Sequence, residues 1–330
     1  MTDRSVATAA ASEAVAGIRG MSRLLELYKG SDLARLYEIQ TKQKKRLIIG
    51  AQPLIPPGPE AMMNMQLQLF EGTEGAKKFI RDTLLIGWWF TRTVAVFDGD
   101  MLGELMETDS KDLYVSISQF RKFLGNPVLI PFEKPYEIDD TEIFGCIVGF
   151  FEASDNEKES SFLLFPIQRQ KSGGKVSFPI IAPNFNVASD NELSISFPKI
   201  IETAEKEGHQ LGFEQYKHEL FSKIAYLLTE TPDVESCMSE SAPSIVRRRK
   251  KPDTIFAPEK PKFMMLGKEF GDAIRQYKVY VSSSSEPRGT VKPHIRRAHW
   301  HTYLSGKGRE KRILKWVLPI LVKSADLSAK

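Results

Sequence analysis

Cysteine is scarce in this chain, which has two cysteines, Cys146 and Cys237, among its 330 residues. Two cysteines cannot build a disulfide framework, and such low usage is typical of a reducing compartment. The N-terminus has no cationic segment followed by an apolar one, so no secretory signal is indicated. The densest apolar stretches, residues 83–90 and 316–322, are too short to span a bilayer. We therefore predict a cytoplasmic protein without a membrane partner.

Common catalytic signatures are also missing from the sequence. It contains no glycine-rich phosphate-binding loop, no dinucleotide fingerprint, no nucleophile elbow and no paired-cysteine zinc motif. These gaps disfavour the common nucleotide, hydrolase and zinc chemistries, and we predict neither a cofactor nor a bound metal. No internal repeat is found, which disfavours solenoid architectures.

Positive charge is present but unevenly distributed. Residues 245–330 contain 21 Lys and Arg against 7 Asp and Glu, whereas the rest of the chain contains 25 against 35. This asymmetry indicates an acidic body that carries a basic region able to meet a polyanion. The alternative is that the basic region docks on the acidic body of the same molecule, and both can hold at once.

The order of periodic segments predicts an α+β fold. Helical spacing of apolar residues precedes a series of short β-rich runs separated by turn residues, which indicates a mainly antiparallel sheet with packed helices. The predicted strands cover residues 91–97, 113–117, 127–132, 142–151, 161–168, 176–181 and 193–197. The predicted helices cover residues 12–43, 59–86, 198–207, 213–228 and 263–280.

Composition divides the chain into three parts. Residues 1–230 form the acidic α+β body, which is the candidate region for peptide recognition. Residues 231–262 are rich in Ser, Pro and basic residues and are predicted to be a linker. Residues 263–330 form a basic module with one helix and a terminal β-hairpin.

The C-terminal stretch, residues 292–323, concentrates side chains that bind nucleic acids. It holds three of the five histidines, two of the four tryptophans and a single acidic residue. β-branched and aromatic residues on both sides of a glycine-containing turn predict the hairpin. Strand alternation places His299 and His301 on one face, roughly 7 Å apart, with Arg297 and Tyr303 beside them.

Three interpretations of this stretch are open. In the first, cations neutralise phosphates while aromatic rings and guanidinium planes stack on unpaired bases. A metal site is disfavoured because no nearby cysteine or carboxylate completes a ligand set. In the third, Trp300, Trp316 and one histidine pack a small core and the cations form a solvated face. The candidate nucleic-acid-binding residues are His294, Arg296, Arg297, Trp300, Lys307, Arg309, Lys311 and Arg312.

The same face has the side chains that metal-independent RNA cleavage requires. Such a reaction needs a base for the 2′-hydroxyl, an acid for the leaving oxygen and cations for the charge that develops on phosphorus. His299, His301 and Arg297 are therefore the candidate catalytic residues. Cleavage by the protein itself and recruitment of a host ribonuclease are alternatives at this point.

The C-terminal motif resembles the terminal signature of a type V-A anti-CRISPR family, the second-named inhibitor of its class. Members carry Pro-His-Ile-Arg-Arg, a small residue, His-Trp-His, a glycine-containing turn and a Trp-x-x-Pro strand. Ala298 stands where glycine is usual. The matching positions are Pro293, His294, Ile295, Arg296, Arg297, Ala298, His299, Trp300, His301, Gly306, Gly308, Trp316 and Pro319.

This resemblance implies a protein that recognises the N-terminal nascent polypeptide of the type V-A CRISPR effector nuclease and causes destruction of the mRNA being translated. The implied partners are that peptide, its mRNA or the translating ribosome, and a host ribonuclease, in the cytoplasm of a bacterial cell. The acidic body would bind the peptide by strand addition or in a groove, and the hairpin would face RNA. The alternative is a plasmid- or phage-encoded nucleic-acid-binding regulator.

Overall fold

The described part of the chain in the computed structural model excludes most of the N-terminal region. The predicted helices at residues 12–43 and 59–86 lie almost entirely outside it, as do the predicted strand at 176–181 and most of the predicted helix at 198–207. The structure describes residues 7–9, 11–12, 85, 88–89, 91–108, 113–124, 127–152, 159–172, 184–186, 194–196, 201–202, 212–239, 244–248, 251–256, 260–283, 294–309, 311–317 and 320–322.

Strands and helices alternate through the described residues. The strands are β1 (Thr93–Phe97), β2 (Tyr114–Ser116), β3 (Val128–Ile138), β4 (Thr141–Glu152), β5 (Glu159–Gln170), β6 (Asn184–Asn186), β7 (Ser194–Ser196), β8 (Ser244–Arg248), β9 (Lys251–Phe256), β10 (Lys262–Leu266), β11 (His294–Arg296), β12 (His299–Ser305), β13 (Lys311–Val317) and β14 (Ile320–Val322). The helices are α1 (Gly99–Met106), α2 (Ile117–Leu124), α3 (Phe213–Leu227), α4 (Pro232–Ser239) and α5 (Lys268–Ser283).

The centre of the fold is a six-stranded sheet in the order β10-β1-β3-β4-β5-β6. β3 to β6 form an antiparallel meander, whereas β1 pairs in parallel with both β3 and β10. The predicted α+β class is confirmed, and the sheet is mixed because the parallel neighbours come from distant parts of the sequence. The described residues add four two-stranded pairs: β2 with β7, β8 with β9, β11 with β14, and β12 with β13.

Helices α1, α2 and α3 cover one face of this sheet. Met101, Phe120 and Ile224, one from each helix, belong to a single apolar cluster with the inward residues of β1, β3 and β4. All five residues of β1 and the first five of β3 are buried, so these strands are enclosed on both faces. Their continuous apolar runs are typical of strands in parallel pairing.

An ion pair is buried where α3 meets β3. The Lys223 ammonium donates to Glu219 Oε1 at 2.5 Å and to the Pro131 carbonyl oxygen at 2.8 Å. The Tyr136 hydroxyl donates to Glu219 Oε2 at 2.8 Å, and burial together with this carboxylate raises the pKa of Tyr136. A buried charge is tolerated when its partners are all supplied, as they are here. Burial also raises the pKa of the nearby Cys146 thiol, which disfavours its reactive thiolate form.

The acidic body and the basic C-terminal region share one core. Met264, Leu314 and Trp316 belong to the same buried cluster as the sheet and α3. The segment predicted as a linker also carries regular structure, because α4, β8 and β9 lie within residues 231–262. The two regions therefore differ in charge while they pack against each other, and the division of function between them remains a proposal.

Several local predictions differ from the structure. The helix predicted from residue 263 begins at Lys268, because the preceding Phe-Met-Met-Leu run pairs with β1 as a strand. Short apolar runs of this kind fit either structure, and the tertiary partner decides. Gly267 ends the strand at φ 71°, and a Cβ there would lie 2.6 Å from Met101 Cγ. The predicted turn at Asp98 is instead the N-cap of α1, since its carboxylate accepts from two backbone N–H groups.

The paired tryptophans before β1 lie in helical backbone and not in the strand predicted there. Trp88 is buried, and its indole N–H donates to the Thr93 carbonyl oxygen at 2.9 Å. Trp89 is half-buried beneath the Arg92 guanidinium, whose carbon lies 3.5 Å from the ring centroid. One ring therefore belongs to the core, and the other packs against a cation near the surface.

Candidate nucleic-acid interface

The hairpin formed by β12 and β13 is anchored by the face that it turns toward the body. Trp300 lies opposite Trp316 in the register, with ring centroids 6.5 Å apart. The Trp316 ring packs 5.7 Å from that of Tyr226 on α3 and 5.4 Å from that of Phe270 on α5, and its indole N–H donates to Thr108 Oγ1 at 3.3 Å. This face therefore belongs to the core.

The opposite face of β12 exposes a row of rings. His299, His301 and Tyr303 follow one another at alternate positions, and all three are exposed. The ring centroids of the two histidines are 6.5 Å apart, and those of His301 and Tyr303 are 4.4 Å apart. Lys315 lies opposite His301 in the register, with its ammonium nitrogen 5.9 Å from the Tyr303 centroid. We call these residues, together with the exposed Arg297 that precedes β12, the open face.

Two further cations lie at the tip of the hairpin. Gly306 and Gly308 adopt φ angles of 86° and 83°, and Arg309 has φ 59°. The Arg309 N–H donates to the Gly306 carbonyl oxygen at 3.1 Å and closes the turn. This backbone path leaves Lys307 and Arg309 exposed, and the tip extends the positive charge beyond the open face.

The cations of the open face and the tip are not neutralised by the described residues. No ion pair there involves Arg297, Lys307, Arg309 or Lys315, apart from the contact of Lys315 with the Tyr303 ring. Unpaired cations beside exposed rings are the combination that binds single-stranded nucleic acids, because cations meet phosphates and rings stack on bases.

Not all of the residues predicted from sequence reach this face. Trp300 is half-buried on the anchored face, where its ring packs against the core, so we do not include it among the residues proposed to contact RNA. His294 and Arg296 lie on β11, which pairs with β14, and Lys311 and Arg312 begin β13. The side chains of these four residues are outside the described part of the structure.

Register explains what the sequence prediction missed. Lys315 joins the open face only because β13 pairs with β12 so that it lies opposite His301. Ala298, where the resembling family usually has glycine, is buried in the core cluster and has no positive φ. Its methyl group packs inward, so this position does not need the conformational freedom of glycine.

A second charged cluster lies at the carboxyl ends of the parallel strands β1 and β10. Arg275 on α5 makes two contacts with the Asp98 carboxylate, at 3.1 and 2.9 Å, and reaches Asp100 Oδ2 at 2.8 Å and Asp272 Oδ1 at 2.7 Å. Lys278 donates to Asp100 Oδ1 at 2.5 Å. We call these five residues the closed network.

The closed network joins α5 to α1. Hydrogen bonds from Lys278 and then Arg275 lower the pKa of Asp100, and the carboxylates of the network raise the pKa of Arg275. The helices approach closely, because a Cβ on Gly271 would lie 1.8 Å from Asp98 Oδ1. Each charge here is paired within the molecule, so the network acts in folding and leaves no free cation for a polyanion.

Two searches of the described residues gave negative findings. Within the ranges given above, no group of three or more His, Cys, Asp or Glu side chains is arranged to hold a metal ion. Nor does any helix there combine the length and the hydropathy needed to cross a membrane.

Comparison with known protein families identifies one match. The AcrVA2-like model, described as the anti-CRISPR type V subtype A2 family, matches residues 95–324. This range covers more than two thirds of the chain and extends from β1 past β14. It thus spans both the acidic body and the basic hairpin region. None of the curated proteins compared with the chain matches it.

Proposed function

The chain belongs to the anti-CRISPR type V subtype A2 family, and on that premise we propose that it recognises the N-terminal nascent polypeptide of the type V-A CRISPR effector nuclease. Recognition triggers translation-dependent destruction of the effector mRNA and lowers the amount of the nuclease. Family membership supports the target system, because an anti-CRISPR protein of this family acts on type V-A CRISPR.

The open face of the hairpin contacts RNA in this proposal. The observation that carries it is the row of exposed rings at His299, His301 and Tyr303, beside Arg297 and Lys315, which have no acidic partner in the described residues. Such a surface suits the exposed bases and phosphates of a message or of ribosomal RNA. The body then supplies peptide recognition, and a host ribonuclease performs the cleavage.

Three reporter messages test whether the peptide or the RNA is recognised. One carries the first codons of the effector, one encodes the same peptide with synonymous codons, and one keeps the RNA while a compensated frameshift changes the peptide. In cells that express the protein, we expect the first two messages to be lost and the third to survive. Loss of the frameshifted message with survival of the synonymous one would contradict the proposal.

A second candidate function is cleavage of RNA by the protein itself. The exposed His299 and His301 rings, 6.5 Å apart beside Arg297, favour it because a base, an acid and a cation are then close together. Purified protein that cleaves RNA in the presence of a chelator, and fails to do so as His299→Ala, would support this candidate. Without cleavage by the wild-type protein, recruitment of a host ribonuclease stands.

A further inference from the structure

The outer edge of β10 combines an open strand edge with apolar side chains. β10 is the terminal strand of the six-stranded sheet, and among the described residues it pairs with β1 alone. Phe263 and Met265 are 47% and 49% exposed, whereas Met264 and Leu266 are buried in the core. Proteins normally protect such edges with charge, proline or a covering element, because an unpaired strand attracts other strands.

The backbone groups of the two exposed residues also face outward. The Lys262 N–H donates to the Arg92 carbonyl oxygen at 2.9 Å, and the Asp98 N–H donates to the Leu266 carbonyl oxygen at 2.9 Å. In a parallel ladder, the residues that bond to one neighbouring strand alternate along the chain. The even-numbered residues of β10 therefore bond to β1, and the two odd-numbered residues direct their N–H and C=O groups away from it.

Sheet register places the exposed pair at the end of an apolar row. Phe263 lies beside Val94 and Met265 beside Val96, and the two valines are buried. The same face of the sheet is thus covered at β1 and half-exposed at β10. An added strand at this edge would extend the row and cover both exposed side chains.

Charge at the ends of β10 indicates what kind of strand fits. Lys260 before the strand and Lys268 after it are exposed, with Glu269 following in the first turn of α5. Pro261 has no N–H, which restricts pairing to the centre of the strand. An extended segment with apolar side chains at two alternate positions and an acidic residue at one end therefore complements this edge.

We propose that the β10 edge is the peptide-binding site of the chain and takes the effector's nascent N-terminal segment as an added strand. This inference rests on the proposed function, whose peptide-binding residues it names. Apolar side chains of the segment lie beside Phe263 and Met265, and its acidic residue lies near Lys260 or Lys268. Main-chain hydrogen bonds provide affinity, and the alternate side chains provide selectivity.

Hydrogen exchange with the full-length protein tests the site directly. The probe is a synthetic peptide with the effector's N-terminal sequence, and a scrambled peptide of the same composition is its control. We expect the amides of Phe263 and Met265 to exchange rapidly in the free protein and slowly in the complex. Those of Met264 and Leu266 already bond to β1 and should change little. Protection by the peptide elsewhere, with none at β10, would overturn the inference.

Substitutions provide an independent measurement. Phe263→Thr with Met265→Thr keeps β-propensity but removes the apolar surface, and we expect peptide affinity to fall at least about tenfold. Met265→Pro should also weaken binding, since it removes an outward N–H and no bond to β1. Val279→Thr is the matched control, because Val279 is 66% exposed on α5. Thermal unfolding of each variant establishes that it is folded.

The outcomes separate this inference from the proposed function. A wild-type protein that does not bind the effector peptide would contradict the proposed function itself. Binding that survives the double threonine variant, or equal binding of the scrambled peptide, would overturn the β10 site alone. Sedimentation that shows a wild-type dimer, dissociated by the same variant, would identify a second copy of this chain as the occupant and would also overturn it.

Discussion

The two faces of the β12–β13 hairpin differ in what their side chains contact. On one face, Trp316 packs between Tyr226 and Phe270 and is 3% exposed. On the other, His301 and Tyr303 contact each other and remain exposed. Because side chains alternate along a strand, the same residues of backbone serve both the core and a surface. Substitutions on one face therefore report on folding, and substitutions on the other report on binding.

The cations of the molecule divide in the same way. Arg275 and Lys278 are paired with three carboxylates in the closed network, whereas the described residues provide no acidic partner for Arg297 and Lys315. Net charge alone does not distinguish these groups. The structure thus indicates which cations stabilise the fold and which are available to a polyanion.

Removal of the Trp316 ring should have the largest effect. Trp316→Ala leaves a cavity between α3, α5 and the hairpin, and we expect the free energy of unfolding to fall by about 3–5 kcal/mol. Chemical denaturation measures this change. Tyr303→Ala, an aromatic truncation on the open face, is the control and should alter stability little. Equal destabilisation by both variants would mean that the two faces are not distinct.

Removal of charge from the open face should affect binding and not folding. For Arg297→Gln with Lys315→Gln, we expect affinity for single-stranded RNA to fall about tenfold and the salt dependence of log K to weaken by about 1.4. Arg275→Gln with Lys278→Gln removes the same charge from the closed network and should leave RNA affinity nearly unchanged. Equal losses in the two double variants, measured by fluorescence anisotropy over a salt series, would show that only net charge matters.

Loss of a single exposed ring should have a smaller effect. If Tyr303 stacks on a base, Tyr303→Ala should cost about 1–3 kcal/mol of RNA-binding free energy. Leu304→Ala is the matched control, since Leu304 is the next residue on β12 and is 52% exposed. A Leu304→Ala variant that loses as much affinity as Tyr303→Ala would argue against a specific stacking role.

The smallest effect is expected from the closed network, and it should depend on pH. The folded-state pKa of Asp100 lies below its usual value because Lys278 and Arg275 donate to it. Its contribution to stability is therefore present above about pH 4 and is lost as the pH falls through the lowered value. Arg275→Gln should lower the melting temperature slightly at neutral pH and not at strongly acidic pH. An equal decrease at both pH values would mean that the network's charges do not contribute.

Sequence patterns predict the hairpin well and the long-range pairing poorly. The glycines at 306 and 308 and the alternation of β12 are local features, and the structure has the corresponding turn and faces. Placement of β10 beside β1 and of Arg275 beside Asp98 depends on contacts between residues far apart in sequence. Local apolar spacing contains no information on such contacts, so the start of α5, the closed network and the edge at Phe263 became visible only in the folded chain.

Association with translating ribosomes tests the central claim most directly. Ribosomes stalled on the effector message, with and without its first codons, are incubated with the intact protein and recovered by pull-down. The account predicts that association requires the encoded N-terminal peptide and persists with synonymous codons. Association of equal strength with ribosomes that lack the peptide would contradict it, because the open face would then bind RNA without regard to the nascent chain.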